Sequence, residues 1–194
     1  MRCPYCHNPE IVLAAQGKRR QRELFNFLEL RRGKLDGVVF SGGECTLWNE
    51  LPELCTQVKS AGFKVKIDTN GSNPAIVRDL LKRSVVDYVA LDYKAPPAKF
   101  RDVTGSSLFS HFSETLDLLI ASDIAVEVRT TYHSDLLTPE DISEIANDLY
   151  QRGYTGTLHL QNFVNGSNTL GNPGSSLSIR KSDLPEMPLK IEIR

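Results

Sequence analysis

The sequence predicts an α/β protein built on parallel strands. Short apolar or alternating runs closed by turn residues read as strands, and between them apolar residues recur at helical spacing. Four of the strands end in polar residues, which gathers those residues on one rim. A strand–helix–strand order at this spacing implies right-handed crossovers between parallel neighbours. The sheet is either an open doubly wound one or a curved, barrel-like one. Both place ligands at the carboxyl ends of the strands.

The elements follow in chain order. Leu24, Phe27, Leu28 and Arg31 share one face of a helix. Gly37 to Phe40 is a short apolar strand that ends in Ser41-Gly42-Gly43-Glu44. Leu51, Leu54, Cys55, Val58 and Ala61 mark the next helix. Phe63 to Asp68 alternates as a half-buried strand does and ends in Thr69-Asn70-Gly71. Ile76, Val77, Leu80 and Leu81 mark a helix before the strand Tyr88 to Asp92, which runs into Tyr93-Lys94. Phe109, Phe112, Leu116, Leu119 and Ile120 precede the strand Ile124 to Thr131, which carries Arg129. Ile142, Ile145, Ala146 and Leu149 form a helix opened by Thr138-Pro139-Glu140-Asp141. That opening supplies an N-cap, a proline at the first helical position and acids at the positive dipole end. The last clear strand is Thr157 to Phe163. Asn165 to Ser178 is rich in Gly, Asn, Ser and Pro and reads as a loop or flexible tail. Leu189 to Arg194 alternates weakly, as an edge strand would.

Composition bounds the function. The 194 residues correspond to about one domain. Hydrophobic residues are 40% and charged residues 24%, which excludes a disordered, collagen-like or disulfide-knot chain. A net charge of −1 gives no global field toward nucleic acid. No apolar run approaches the roughly 18–20 residues of a membrane span, and no signal-peptide pattern opens the chain. A cytoplasmic protein with no nucleic-acid or membrane partner is expected.

The cysteines are Cys3, Cys6, Cys45 and Cys55, too sparse for a disulfide framework. Cys3-Pro4-Tyr5-Cys6 brings two sulfurs to one side of a turn, as a metal centre or a redox dithiol requires. A zinc half-site lacks a second Cys/His pair, and a haem-attachment reading of Cys6-His7 lacks a signal peptide. The pair alone leaves metal ligation and dithiol chemistry evenly matched. Ser41-Gly42-Gly43-Glu44, after a strand, allows close backbone approach and offers a carboxylate to an ammonium group. Alone it reads equally well as a strand-to-helix turn.

Together, Cys3-Pro4-Tyr5-Cys6-His7-Asn8-Pro9 and Gly42-Gly43-Glu44 resemble the radical S-adenosylmethionine (SAM) superfamily, whose cluster loop is Cys-x3-Cys-x-aromatic-Cys. Within it the resemblance is to glycyl-radical activating enzymes, above all the activating proteins of anaerobic ribonucleoside-triphosphate reductase. It covers residues 1–166, and 167–194 are set apart as a loop-rich tail with a possible edge strand. The resemblance implies a partial (β/α)6 barrel lacking its first strand. It implies that Cys3 and Cys6 ligate a [4Fe–4S] cluster and that Tyr5 packs near the SAM adenine. Gly42, Gly43 and Glu44 would bind the SAM methionine amino group, and Asp68, Asp92, Lys94 and Arg129 would line the same cofactor site. No catalytic residue is expected beyond the cluster and cofactor site. The implied partners are the glycyl-radical subunit of that reductase and a flavodoxin- or ferredoxin-like electron donor.

Bland readings stand beside these. Asp68 could merely close a strand, and Asp92 with Lys94 could be a surface ion pair worth under about 1 kcal/mol. Arg129 on an apolar strand needs a carboxylate partner. Cys55 reads as a packed thiol, Cys45 as a tolerated substitution for a proline, and His111, His133 and His159 as non-ligands. A radical enzyme acting on a small metabolite, a Cys-x-x-Cys redox or zinc module, and a cluster-free remnant are the rival functions. The family's first cysteine falls four positions before Cys3, ahead of Met1. An upstream start or a partial sequence is the expected reason, and residues 1–194 alone are expected to hold a cluster poorly or not at all. Val164 stands where some activating enzymes carry a histidine, which tilts away from the pyruvate formate-lyase branch. Lys18 to Lys34 is basic and Thr130 to Gln151 acidic; both read as solvated helix faces, with partner docking as the alternative.

Overall fold

The computed structural model describes residues 1–14 and 21–194. Lys18, Arg19 and Arg20 of the basic stretch lie outside the described residues. The strands are β1 (Gly37–Phe40), β2 (Lys64–Thr69), β3 (Tyr88–Asp92), β4 (Ala125–Tyr132), β5 (Leu158–Asn162) and β6 (Ile191–Ile193). All neighbours pair in parallel, and the spatial order is the chain order, β1 to β6. An order that never reverses has no switch point. Right-handed crossovers then put every connecting helix on one face, which excludes the doubly wound alternative and gives the barrel-like one.

The helices are α1 (Pro9–Leu13), α2 (Gln21–Leu30), α3 (Leu51–Ser60), α4 (Pro74–Lys82), α5 (Pro97–Thr104), α6 (Phe109–Ile120) and α7 (Pro139–Gln151). Three of the apolar stripes read from sequence are buried faces: Leu54, Cys55 and Val58 of α3, Phe112, Leu116 and Leu119 of α6, and Ile142, Ile145 and Leu149 of α7; in α2 only Leu28 is buried, and Phe27 of the expected stripe faces outward. The three buried stripes cover the outward residues of the strands, such as Val65, Ile67, Val89, Leu91, Val128, Leu158 and Leu160. The other side of each strand alternates to Lys66 and Asp68, Asp92, Arg129 and Thr131, or His159 and Gln161. One face is therefore oily under helices, and the concave face is polar. Thr138 caps α7 as read, and Asp141 completes a capping box with it.

Two helices escaped the sequence reading. α1 has only five residues and buries none of them. α5 starts at Pro97 and stops at Gly105 (φ +62°), and its stripe Phe100, Val103 and Thr104 is a single turn long. The six strands are completed at the C-terminal edge, by β6 beside β5, rather than by a strand ahead of the cysteine pair. Asn165 to Ser178, read as a loop or flexible tail, is held against the barrel together with Ile179: Asn165 and Ser176 exchange side-chain–backbone bonds, Asn162 brackets Ile179, and Thr169, Ser176 and Ile179 are buried. No helix among the described residues is long and apolar enough to cross a membrane.

Candidate cofactor site

A cavity of about 280 Å3 lies at the carboxyl ends of the strands. Every residue read from sequence as a ligand or cofactor contact lines it: Cys3, Tyr5 and Cys6 before α1, Gly42 to Glu44 after β1, Asp68 of β2, Asp92 and Lys94 at the end of β3, and Arg129 of β4. Residues separated by more than a hundred positions meet because each parallel strand ends on the same rim.

Cys3 and Cys6 sit on one turn, closed by the Cys6 N–H donating to the Cys3 carbonyl at 3.1 Å. Cys3 is buried and Cys6 half-buried. Burial pushes the Cys3 thiol up, while the Lys94 ammonium pulls it the other way. A metal-ligating thiolate there must release a proton on binding, and Lys94 is the group placed to favour that. The Tyr5 hydroxyl is buried without a hydrogen-bond partner, and Lys94 Nζ lies 5.9 Å from its ring centroid. Burial raises the Tyr5 hydroxyl, so it stays protonated.

Glu44 is held by four donors. Its Oε1 accepts from the Thr46 N–H at 3.1 Å, the Thr46 hydroxyl at 2.6 Å and the Thr69 hydroxyl at 2.6 Å, and its Oε2 accepts from the Asn70 N–H at 2.7 Å. Oε1 is thus saturated, and Oε2 keeps a lone pair for a further donor. The carboxylate also ties the end of β1 to the end of β2. Before it, Gly42 has φ +132°, where any side chain is strained. Gly42→Ala is expected to cost about 1–2 kcal/mol of stability, measurable by denaturant unfolding; an unchanged midpoint would mean the turn relaxes freely.

The charged residues form one chain across three strands. Arg129 stands opposite Asp92 in the β3–β4 register. Its Nε and Nη2 reach Asp92 Oδ1 at 3.0 and 2.9 Å, and Nη1 lies 3.5 Å from Asp68 Oδ2. Ala90, small and on the same face of β3, leaves room for the guanidinium to reach β2. Lys94 Nζ lies 3.3 Å from Asp92 Oδ2, and Lys66 Nζ 3.3 Å from Asp68 Oδ1. That Asp68 oxygen has ion-pair distance to Lys66 but no aligned hydrogen bond, so it remains an open acceptor. Burial works to raise the Asp92 carboxyl, but Lys94 and Arg129 outweigh it and hold it below the usual carboxylate range. Burial works to lower Lys94, and Asp92 more than offsets this. The isolated surface-pair reading of Asp92 and Lys94 therefore fails: both belong to a partly buried network. Arg129 has the carboxylate partners its strand position required.

The remaining cysteines take structural places. The Cys45 thiol donates to the Asp68 carbonyl at 3.4 Å and is raised by burial, then by Glu44. Cys55 is packed in the core, its thiol pushed up to about 12 by burial. Among the described residues, no three His, Cys, Asp or Glu side chains are grouped as a metal site. Val164 is exposed beyond β5. Within the two charge-biased stretches, Arg32 binds Glu29 and the Ala61 carbonyl, Asp141 binds Lys99, and Asp148 binds Arg152 and Tyr93. Sequence reasoning missed Thr46, Thr69 and Asn70, which hold Glu44, and Thr131 and Gln161 on the cavity wall. Two-residue alternation from Arg129 and His159 points to the last two. Thr46 and Thr69 had no sequence signal, because their partner is a carboxylate that folding brings to them.

The donor set supplies two of the three cysteine ligands of the implied cluster and suits its cofactor. Two thiols of one turn face a cavity with an unpartnered tyrosine hydroxyl, a glycine wall without side chains, and a carboxylate with one free lone pair. Soft thiolates are iron–sulfur ligands, and the carboxylate matches an ammonium.

Comparison with known proteins agrees. The Radical SAM superfamily model matches residues 1–149. A Methanocaldococcus jannaschii protein named as a candidate glycyl-radical enzyme activating enzyme is 35% identical over 161 residues, 77% of this chain and 66% of that one. The pyruvate formate-lyase-activating enzyme of Clostridium pasteurianum is 36% identical over 100 residues, 48% of this chain and 41% of that one. SuiB of Streptococcus suis shares the fold, with a TM-score of 0.69 at 14% identity over 100% of this chain and 46% of that one; its S-adenosylmethionine-bound form scores 0.65. The match thus spans just under two thirds of the first relative and about half or less of the others. Matched along most of its length, and with the family's cysteine turn and Gly-Gly-Glu wall on one cavity, the chain belongs to the radical SAM superfamily, whose enzymes use a [4Fe–4S] cluster and S-adenosylmethionine.

Proposed function

We propose that this protein activates anaerobic ribonucleoside-triphosphate reductase by installing a glycyl radical on it, with a flavodoxin- or ferredoxin-like protein as electron donor. The observation that carries the reading is the meeting of Cys3, Cys6, Glu44, Asp92, Lys94 and Arg129 on one cavity, in a chain with a relative named for glycyl-radical activation. Bound, the cluster supplies the electron that cleaves the SAM sulfonium carbon–sulfur bond to a 5′-deoxyadenosyl radical. Cys3 and Cys6 would hold two of its irons. Glu44 Oε2 would accept from the SAM ammonium, and Lys94 and Arg129 give the cavity the positive charge that a carboxylate would need. Tyr5 closes the inner wall against water. Exposed Leu47 and Trp48 after β1 and Val164 after β5 stand on the cavity end of the barrel, apolar surface that suits a protein substrate.

The test mixes anaerobically reconstituted protein, reductant, SAM and the reductase. A glycyl-radical doublet in electron paramagnetic resonance, absent when the reductase glycine is replaced by alanine, is expected. Formation of 5′-deoxyadenosine with a small molecule and no doublet on the reductase would overturn the target.

A further inference from the structure

We infer that the segment after β5 is a strap that fixes the cysteine turn, and that Gly171 is the positioning residue through which it acts. The inference rests on reading Cys3 and Cys6 as cluster ligands. The Leu170 N–H donates to the Cys6 carbonyl at 3.1 Å, and the Gly171 N–H to the Pro4 carbonyl at 2.8 Å. With Cys3 O taken by Cys6 N–H, the carbonyls of Cys3, Pro4 and Cys6 are all engaged, two of them by the strap. A Cβ at position 171 would lie 2.6 Å from Pro4 Cβ and 2.7 Å from Pro4 Cα. Only glycine lets the two backbones come this close.

The strap is itself anchored to the barrel. His133 receives the Asp135 N–H on Nδ1 at 3.2 Å, which leaves its proton on Nε2, and Nε2 donates to the Gly174 carbonyl at 3.0 Å. The Ser134 N–H binds Ser176 Oγ at 3.0 Å. From the other side, His7 stacks on Phe163 at 5.2 Å between centroids, and Phe163 packs on His133 at 4.8 Å. The turn is thus gripped between strap amides and an aromatic column rooted in β4 and β5. The strap lies beyond the residues matched by the superfamily model. Cluster ligands depend on such outer contacts for their orientation.

The test uses the cluster-free full chain, with per-cysteine alkylation by iodoacetamide and amide exchange of residues 2–7. Gly171→Ala is expected to raise Cys6 alkylation and loop exchange about 10-fold, the scale set by losing two backbone hydrogen bonds. Phe163→Leu, which withdraws the ring under His7, should give a smaller rise. Leu177→Ala, on an exposed strap residue, should match the wild type, as should Cys55 in every variant. On reconstitution, Gly171→Ala should lose iron to a chelator faster and broaden the reduced-cluster resonance. Faster exchange in the strap with unchanged Cys6 alkylation would overturn the inference. If Gly171→Ala does not fold, unchanged Cys6 reactivity in Phe163→Leu overturns it. Because the thiols are read without a cluster, failure here is separable from failure of the proposed radical chemistry.

Discussion

Arg129→Leu is expected to cost about 2–4 kcal/mol of stability at pH 7, because it leaves two partly buried carboxylates without their guanidinium. Arg129, Asp68 and Asp92 side chains are 16%, 19% and 30% exposed, so solvent screens the loss only in part. The pH dependence identifies the cause. In the folded protein the Asp92 carboxyl lies below its ordinary value, so its stabilisation is present above about pH 4 and is lost as pH falls through the folded value. Without Arg129 that depression shrinks and burial drives the carboxyl upward. The deficit of the variant should therefore be largest near pH 6–8 and narrow below about pH 4, where protonated carboxyls need no partner. Urea unfolding across pH 3–8 measures it. A deficit independent of pH would mean that Arg129 acts by packing its stem.

Glu44→Gln is expected to weaken SAM binding at least about 10-fold and to cost about 1–3 kcal/mol of stability. The amide removes the charge that four donors share and turns an NH2 group toward the Asn70 N–H or the threonine hydroxyls. The two effects separate with Thr46→Val, which removes one donor to the saturated Oε1 and keeps the side-chain volume. That variant should lose stability with little change in SAM affinity. Calorimetric titration of the reconstituted protein reads the affinity, and denaturant melts read the stability. SAM affinity unchanged in Glu44→Gln would confine Glu44 to its structural tie between β1 and β2.

Much of the site was legible because its chemistry is carried by residue types that are costly to place for shape alone. Arg129 on an apolar strand required a partner, and the partners stand at the ends of the two preceding strands. Gly42 and Gly43 after an apolar run required close approach, and one of them has the positive φ that a side chain resists. What stayed hidden had no such mark. Thr46 and Thr69 are ordinary turn residues until Glu44 reaches them. α5 is too short for its stripe to repeat. Asn165 to Ser178 has loop composition, and its burial against His133 and Pro4 follows from contacts with residues far away in the chain, among them the close approach to Pro4 that Gly171 permits.

The sequence by itself determined the parallel α/β frame, because apolar periodicity selects helix or strand locally and short spacing between them selects right-handed crossovers. Together with the family resemblance it also placed ten of the residues that line the cavity, seven of them at or near strand ends that share one rim in such a frame. The tertiary structure decided three things that periodicity left open: that the sheet winds one way into the barrel the resemblance implied, that Asp68, Arg129, Asp92 and Lys94 form one charge chain, and that the C-terminal segment closes on the cysteine turn. Each depends on contacts between residues far apart in the chain. Their energies arise only when strand order and register bring the partners within hydrogen-bond distance, and no local pattern encodes that distance.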